Sequence, residues 1–277
     1  MVDKAILFDA AKCMGCRGCQ VACKQWNELT AEETTNTGSY ENPPDLASAT
    51  WLTMRFKEVP KNGTIEWLFT RRSCMHCSDA ACVAVCPTHA LNYNHFGLVS
   101  YDKSKCTGCG YCLEFCPFDV PRFDESQAKR VTGLGLMDKC TLCTTQGLDR
   151  IAMGEEPACV KTCPPGALIY GNRDELVAEG RQRVQALKAD GYGNAYLYGE
   201  KELGGLHVLY VLTNSPEVHG LPVKPEYPVA ATAWQDILRP LGWVAFGAVG
   251  LGLLLNLMVA RARRIREQEE TNNATRS

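Results

Sequence analysis

One run of residues constrains this chain more than any other: C-T-G-C-G-Y-C-L-E-F-C-P, from Cys106 to Pro117. Its cysteines are separated by two, two and three residues, and a proline follows the last. Three thiolates so closely spaced wrap one corner of an iron–sulfur cube. The fourth is held too far along the chain to join them and ligates a neighbouring cluster, so such a run needs a partner. Three more runs are present. Cys13, Cys16, Cys19 and Cys23 repeat the spacing. Cys74, Cys77, Cys82 and Cys86 repeat it with two extra residues in the middle. Cys140, Cys143, Cys159 and Cys163 carry a long insertion between the two pairs. All 16 cysteines fall into these four groups of four.

Other uses of cysteine fit less well. Disulfide scaffolds are short and loop-rich and do not repeat such a run. Zinc sites take two knuckles per metal, without a third cysteine following at once. Residues 74–116 have the spacing of a two-cluster ferredoxin, so the second and third runs are expected to exchange their fourth cysteines. The first and fourth runs then pair around the outside. The expected ligand sets are Cys13, Cys16, Cys19 with Cys163; Cys23 with Cys140, Cys143, Cys159; Cys74, Cys77, Cys82 with Cys116; and Cys86 with Cys106, Cys109, Cys112. They make four [4Fe–4S] clusters. Lysine precedes the first cysteine of three runs (Lys12, Lys105, Lys139), where a cation favours the reduced cluster unless it is merely a solvated loop charge. His76 sits between two ligands but is surrounded by a full set of cysteines, so it is not expected to ligate.

The rest of the chain reads as a frame for these sites. Residues 3–9 alternate as a short strand, and a polar insertion follows over 27–49. Residues 51–56 and 65–69 form a hairpin through Asn62-Gly63, its aromatics packed over the clusters. Residues 173–190 place Leu176, Val177, Val184 and Leu187 on one helical stripe, and 206–212 read as a buried strand. Prolines 216, 222, 225 and 228 punctuate a linker. Leu241 to Ala260 is an uncharged stretch, enough to span about 30 Å of hydrocarbon as a helix. Arg261, Arg263, Arg264 and Arg266 outnumber Lys224 and Arg239 on the other flank, which favours a cytoplasmic C-terminus.

The expected fold is α+β: two nested two-cluster ferredoxin-like units with a β-hairpin insertion, plus one C-terminal transmembrane helix. The boundaries are a cluster domain at 1–213 (inner unit 72–122), a linker at 214–233, the helix at 234–260 and a basic, disordered tail at 261–277. A net charge of −2 gives no case for nucleic acid. No nucleotide loop, serine–histidine pair or carboxylate pair stands out, so no catalytic site is expected. Electron transfer is, with a membrane as one partner. A cluster-bearing redox sensor is the alternative from another class. No export signal is visible at the N-terminus, so the chain is expected to stay in the cytoplasm or to cross with a partner.

With this order of runs and the long insertion in the last, the chain resembles the iron–sulfur subunits of the molybdopterin oxidoreductases. It resembles most the beta subunit of membrane-bound respiratory formate dehydrogenase. The likeness is carried by residues 13–27, 51–56, 62–68, 74–77, 110–122, 139–143, 156–168, the H-G-L-P at 219–222 and the terminal helix. It implies a catalytic alpha subunit holding molybdenum or tungsten pterin, which oxidises formate and bears the export signal. It also implies a haem-b gamma subunit that reduces quinone, and a higher oligomer of the heterotrimer. Electrons would enter near Cys13, Cys16, Cys19 and Cys163, and leave near Cys23, Cys140, Cys143 and Cys159. The cluster domain would lie in the periplasm of a single-pass inner-membrane protein. Within the same group, a hydrogenase or another respiratory reductase is the alternative complex.

Overall fold

The structure, a computed structural model, describes residues 3–61, 63–124, 135–145 and 147–274. The chain divides into two compact units, Met1–Pro228 and Val229–Ser277.

Both ends of the first unit's sequence meet in one sheet. Strand β1 (Lys4–Asp9) is buried along all but its first residue, and lies between two neighbours. The apolar residues of a two-sided strand must satisfy both faces, and each face here has its own core. Ala5 and Leu7 pack with Leu176, Val177, Val184 and Leu187, while Ile6 and Phe8 join the core that holds Cys23, Cys74, Cys140 and Cys159.

The remaining elements follow in chain order. After helix α1 (Gly18–Trp26) comes the hairpin β2 (Thr53–Lys61) and β3 (Thr64–Arg72). Helix α2 (Ala81–Ala84), strands β4 (Leu91–Tyr93) and β5 (Val99–Tyr101), helix α3 (Tyr111–Glu114) and strands β6 (Arg122–Asp124) and β7 (Leu136–Asp138) form the middle. Helix α4 (Ala158–Lys161), strand β8 (Leu168–Asn172), helix α5 (Arg173–Ala189) and strands β9 (Tyr196–Tyr198) and β10 (Val208–Leu212) close the unit. The four-stranded sheet has the order β8-β1-β10-β9. β1 runs parallel to β10, Ile6 opposite Val208, and antiparallel to β8, Phe8 opposite Leu168. Helix α5 covers one face with the stripe read from its periodicity, its four apolar residues all buried.

The hairpin is longer than the sequence suggested, and pairs in one register from Thr53–Arg72 to Lys61–Thr64. Asn62 lies outside the described residues; Gly63 has φ 80° at the turn. Phe56 and Phe69 meet edge-on, centroids 5.4 Å apart, and Phe69 continues to Trp67. These rings roof the first cysteine loop, where a Cβ on Gly15 would stand 2.8 Å from Phe69.

The proline-punctuated stretch read as a linker belongs, as far as Pro228, to the first unit. Its hydrogen bonds explain why. Tyr198 Oη donates to the Pro222 carbonyl at 2.8 Å, and Arg55 donates to that of Gly220 at 3.2 Å. His219 is buried, its Nδ1 2.9 Å from Thr70 Oγ1.

In the second unit, helix α6 (Val229–Ala233), a π-helical turn (Trp234–Leu238) and helix α7 (Arg239–Ala274) follow one another. Among the described residues, Val229–Ile265 is the one helical stretch long and apolar enough to cross a membrane. None of its most apolar window is buried. The tail after Arg266, read as disordered, continues the helix to Ala274. Its Glu, Gln, Arg and Ala residues are good helix formers, so it extends the apolar stretch in the same conformation.

Burial, followed by the charge of Lys57, lowers the His219 pKa to about 4. An unfolded histidine titrates near about 6.5. The folded state therefore binds fewer protons, and the stability this gives is present above about pH 6.5 and lost as pH falls through about 4. Thermal unfolding followed by circular dichroism should show a melting temperature that falls across this window. His219→Gln should flatten the fall, and an unchanged slope in that variant would contradict the assignment.

Candidate metal centres

The four cysteine runs share a local geometry. After the first cysteine the backbone turns through left-handed values, with φ 66° at Gly15, 48° at His76 and 55° at Leu142. Such a turn aims amides at one point and makes an anion cradle. The amide two residues on donates to the first sulfur: Gly15 to Cys13, His76 to Cys74, and Leu142 to Cys140 at 3.4 Å. The third cysteine then enters a short helix, Cys19 in α1, Cys82 in α2, Cys112 in α3 and Cys159 in α4.

Long-range pairing brings remote cysteines to these loops. β1 runs directly into the first loop and β8 begins just after Cys163, so their antiparallel register sets Cys163 beside Cys13. The Asp9 amide donates to the Ala167 carbonyl at 2.8 Å across the same join. Helix α1 packs on α4, and α2 on α3.

The thiols report their neighbours. Burial raises the Cys13 pKa, and Cys163 and Cys16 add to it. Burial raises Cys23 well above the ordinary thiol range, with Cys140, Cys159 and Cys143 behind it. For Cys77 burial is followed by Cys74, Cys82 and Cys116. For Cys112 it is followed by Cys109, Cys106 and Cys86. Cys19 and Cys143 are each pushed up to about 12, and Cys116 to about 11, with burial the first cause in each.

Two observations test whether such groups suit a cube of iron and sulfide. Cys86, Cys106, Cys109 and Cys112 line a single hollow, walled by Leu91 and Met137. Among the described residues, no three histidine, cysteine or acidic side chains close on one ion position. A mononuclear metal draws its ligands to about 2.3 Å from a single point, whereas a cluster's terminal thiolates stand apart around a larger body. The residues fit the cluster.

Thiols of different groups also neighbour one another. Cys19 of the first group neighbours Cys159. Cys140, from the same group as Cys159, neighbours Cys74, and Cys82 in turn neighbours Cys112. Cys23, Cys140, Cys143 and Cys159 are all buried. The group of Cys86, Cys106, Cys109 and Cys112 stands at the end opposite Cys13.

Residues 12–90 and 65–173 each match a family model described as a 4Fe-4S dicluster domain. Residues 228–270 match one described as formate dehydrogenase N, transmembrane. The chain is 39% identical to the nitrate-inducible formate dehydrogenase iron–sulfur subunit of Escherichia coli K12, over 98% of this chain and 90% of that protein. The formate dehydrogenase-O iron–sulfur subunit of the same strain is 40% identical, over 96% and 87%. The chain belongs to the family of formate dehydrogenase iron–sulfur subunits. More distantly, it is 35% identical to the hydrogenase-2 operon protein HybA of Escherichia coli O157:H7, over 87% and 81%.

As a member of this iron–sulfur subunit family it is an electron-transfer subunit of an oxidoreductase complex, and it carries [4Fe–4S] clusters. Its charged residues near the thiols divide sharply. Lys12 is exposed, and Lys105 pairs with Asp102 at 3.0 Å. Lys139 is 2% exposed and donates to the carbonyls of Val99 at 2.7 Å and Cys140 at 3.1 Å. Its charge acts on Cys74 and Cys82. His76 is fully buried; burial, then Lys139, keeps it neutral. Spacing alone missed Arg71, 1% exposed at the end of β3. The signal was strand parity, since Arg71 shares a face with Phe69, the ring that covers Gly15.

Gly15→Ala should cost about 1–2 kcal/mol for the left-handed backbone alone, before Phe69 gives way. The expected outcome is a lower melting temperature with partial iron loss. A variant as stable and as iron-rich as the wild type would contradict the close packing.

Proposed function

We propose that this chain relays electrons, one at a time, through four [4Fe–4S] clusters. They pass from a molybdopterin subunit that oxidises formate to a haem-b membrane subunit and quinone. The observation that carries the reading is that all sixteen cysteines fall into four spaced runs, and the thiols that neighbour Cys13, Cys23, Cys77 and Cys112 support it. The ligand sets are those named from spacing, and the architecture is one two-cluster ferredoxin-like unit nested inside another. The domains are those read from the sequence, except that 214–228 is assigned to the first unit rather than to a linker.

Each cluster, when bound, accepts and returns one electron between thiolate ligands. The chain's own residues hold the sulfurs at fixed stations, exclude water from the inner ones and supply amides to the ligands. Entry lies at the Cys13 end, where Cys16 is exposed. Exit lies at the group of Cys86, Cys106, Cys109 and Cys112. The arginines after Ala260 support a C-terminus in the cytoplasm and a cluster unit in the periplasm. Identity to HybA supports a second reading, in which the donor is a hydrogenase.

The deciding experiment is anaerobic purification from native membranes with mass spectrometry of the partners and an iron count. About sixteen iron atoms per chain, from four cubes, with a molybdopterin partner that oxidises formate, is the expected result. A nickel hydrogenase in its place would keep the relay and replace the donor. Cys106→Ala should abolish quinone reduction while dye-linked formate oxidation by the partner persists. Expressed without its partners, a chain ending at Pro228 should leave the membrane fraction. A chain that stays there as an integral protein would refute the helix as anchor.

A further inference from the structure

Arg71 and Arg72 are adjacent on β3 and could hardly be treated more differently. Arg72 ion-pairs with Asp45 and, at 3.1 Å, with Asp119, and these carboxylates lie near the surface. Arg71 heads the fully buried side chains by volume, at 1% exposure. Among the described residues none of the ion pairs includes it. Its Nη1 donates to Ser73 Oγ, and its Nε has no hydrogen-bond partner. Tyr210 Oη anchors the backbone by donating to the Arg71 carbonyl at 2.9 Å.

A guanidinium cannot shed its proton to escape such a place, and a buried charge without a counter-charge is strongly destabilising. The negative partner must therefore come from something other than a carboxylate. The groups acting on it are the thiols of Cys159, Cys140 and Cys19 and the Tyr210 hydroxyl. The guanidinium is in turn among the charges acting on Cys159, Cys19 and Cys23. Two of these thiols belong to the second site in line, and Cys19 to the first.

We propose that Arg71 is the fixed counter-ion of the cluster held by Cys23, Cys140, Cys143 and Cys159, and that it raises that cluster's reduction potential. The inference rests on the ligand sets proposed above. Thiolates around an iron–sulfur cube leave a net anion, and reduction adds one more negative charge. A fixed cation in a poorly screened interior favours the reduced form. The effect is local. The first and third sites feel the same cation through Cys19 and Cys74, while no thiol of the group at Cys86 is among the largest charges acting on Arg71. Arg71 is thus a positioning residue for charge at the second station of the relay, where the site is too buried for water to do the same work.

The test uses the whole complex in native membranes, with Arg71→Gln and Arg71→Lys beside the wild type and Cys159→Ser to mark which signal belongs to the site. Iron content and redox titrations followed by electron paramagnetic resonance are the readouts. In Arg71→Gln, iron should stay at the wild-type level. The marked cluster should lose tenfold or more in its reduction equilibrium, about 59 mV for one electron. Arg71→Lys should recover most of that shift, and the cluster at Cys86 should not move. Unchanged potentials in an iron-replete Arg71→Gln would overturn the counter-ion. A wild type with fewer than four clusters, or Cys159→Ser without effect on any signal, would instead overturn the ligand sets. If Arg71→Gln fails to assemble, wild-type complex labelled with ¹⁵N-arginine decides. Hyperfine coupling of an arginine nitrogen to the marked, reduced cluster is expected, and its absence would refute the proposal.

Discussion

Strand β1 is the constraint on which the first unit depends. No cysteine run can complete a four-thiol group alone, because its fourth cysteine is displaced along the chain. Remote segments must therefore be held in register before any site exists. β1 does this for the outer pair by bonding to β8 on one side and β10 on the other. The first cysteine loop leaves its end, and the last loop arrives at the start of β8. Its alternate side chains serve two cores, one under α5 and one among the thiols, so a slip of one residue would exchange helix-facing and thiol-facing groups.

The thiols themselves are a burden on the fold until iron is present. Burial holds Cys23 well above the ordinary thiol range, and its thiol neighbours repel its ionisation further. The chain meets this with fixed dipoles and a few cations. Loop amides face the first sulfur of three runs, Lys139 lies between backbone carbonyls beside Cys140, and Arg71 reaches the same group from the other side. Both cations are buried where solvent cannot screen charge, Arg71 acting on Cys23 and Cys159, and Lys139 on Cys74 and Cys82. At the first station Cys16 is exposed, and Arg17 stacks 4.8 Å from the Phe56 ring rather than on a thiol.

The second unit obeys a different rule. Leu253, Leu254, Leu255 and Leu257 are all exposed, with no apolar side chain of their own unit to cover them. In the first unit, residues of the same kind are buried at β1 and β10. An α-helix satisfies its own backbone hydrogen bonds, so such a segment is stable in lipid without a protein core around it.

The sequence by itself determined the chemistry and its grouping. Cysteine spacing is a local property, and it marked four runs suited to iron–sulfur clusters. Periodicity likewise marked α5 through Leu176, Val177, Val184 and Leu187, and the uncharged stretch from Leu241 marked the helix of the second unit. Only the tertiary structure decided the order of the sites. That order depends on which loop lies against which, and Cys74 meets Cys140 through contacts far apart in sequence. It also drew 214–228 onto the first unit, since hydrogen bonds from Tyr198 and Arg55 are invisible in a row of prolines. Finally, it told Arg71 from Arg72 and Lys139 from Lys105. Identical side chains differ there only in burial and in the carboxylates within reach, and both are set by packing.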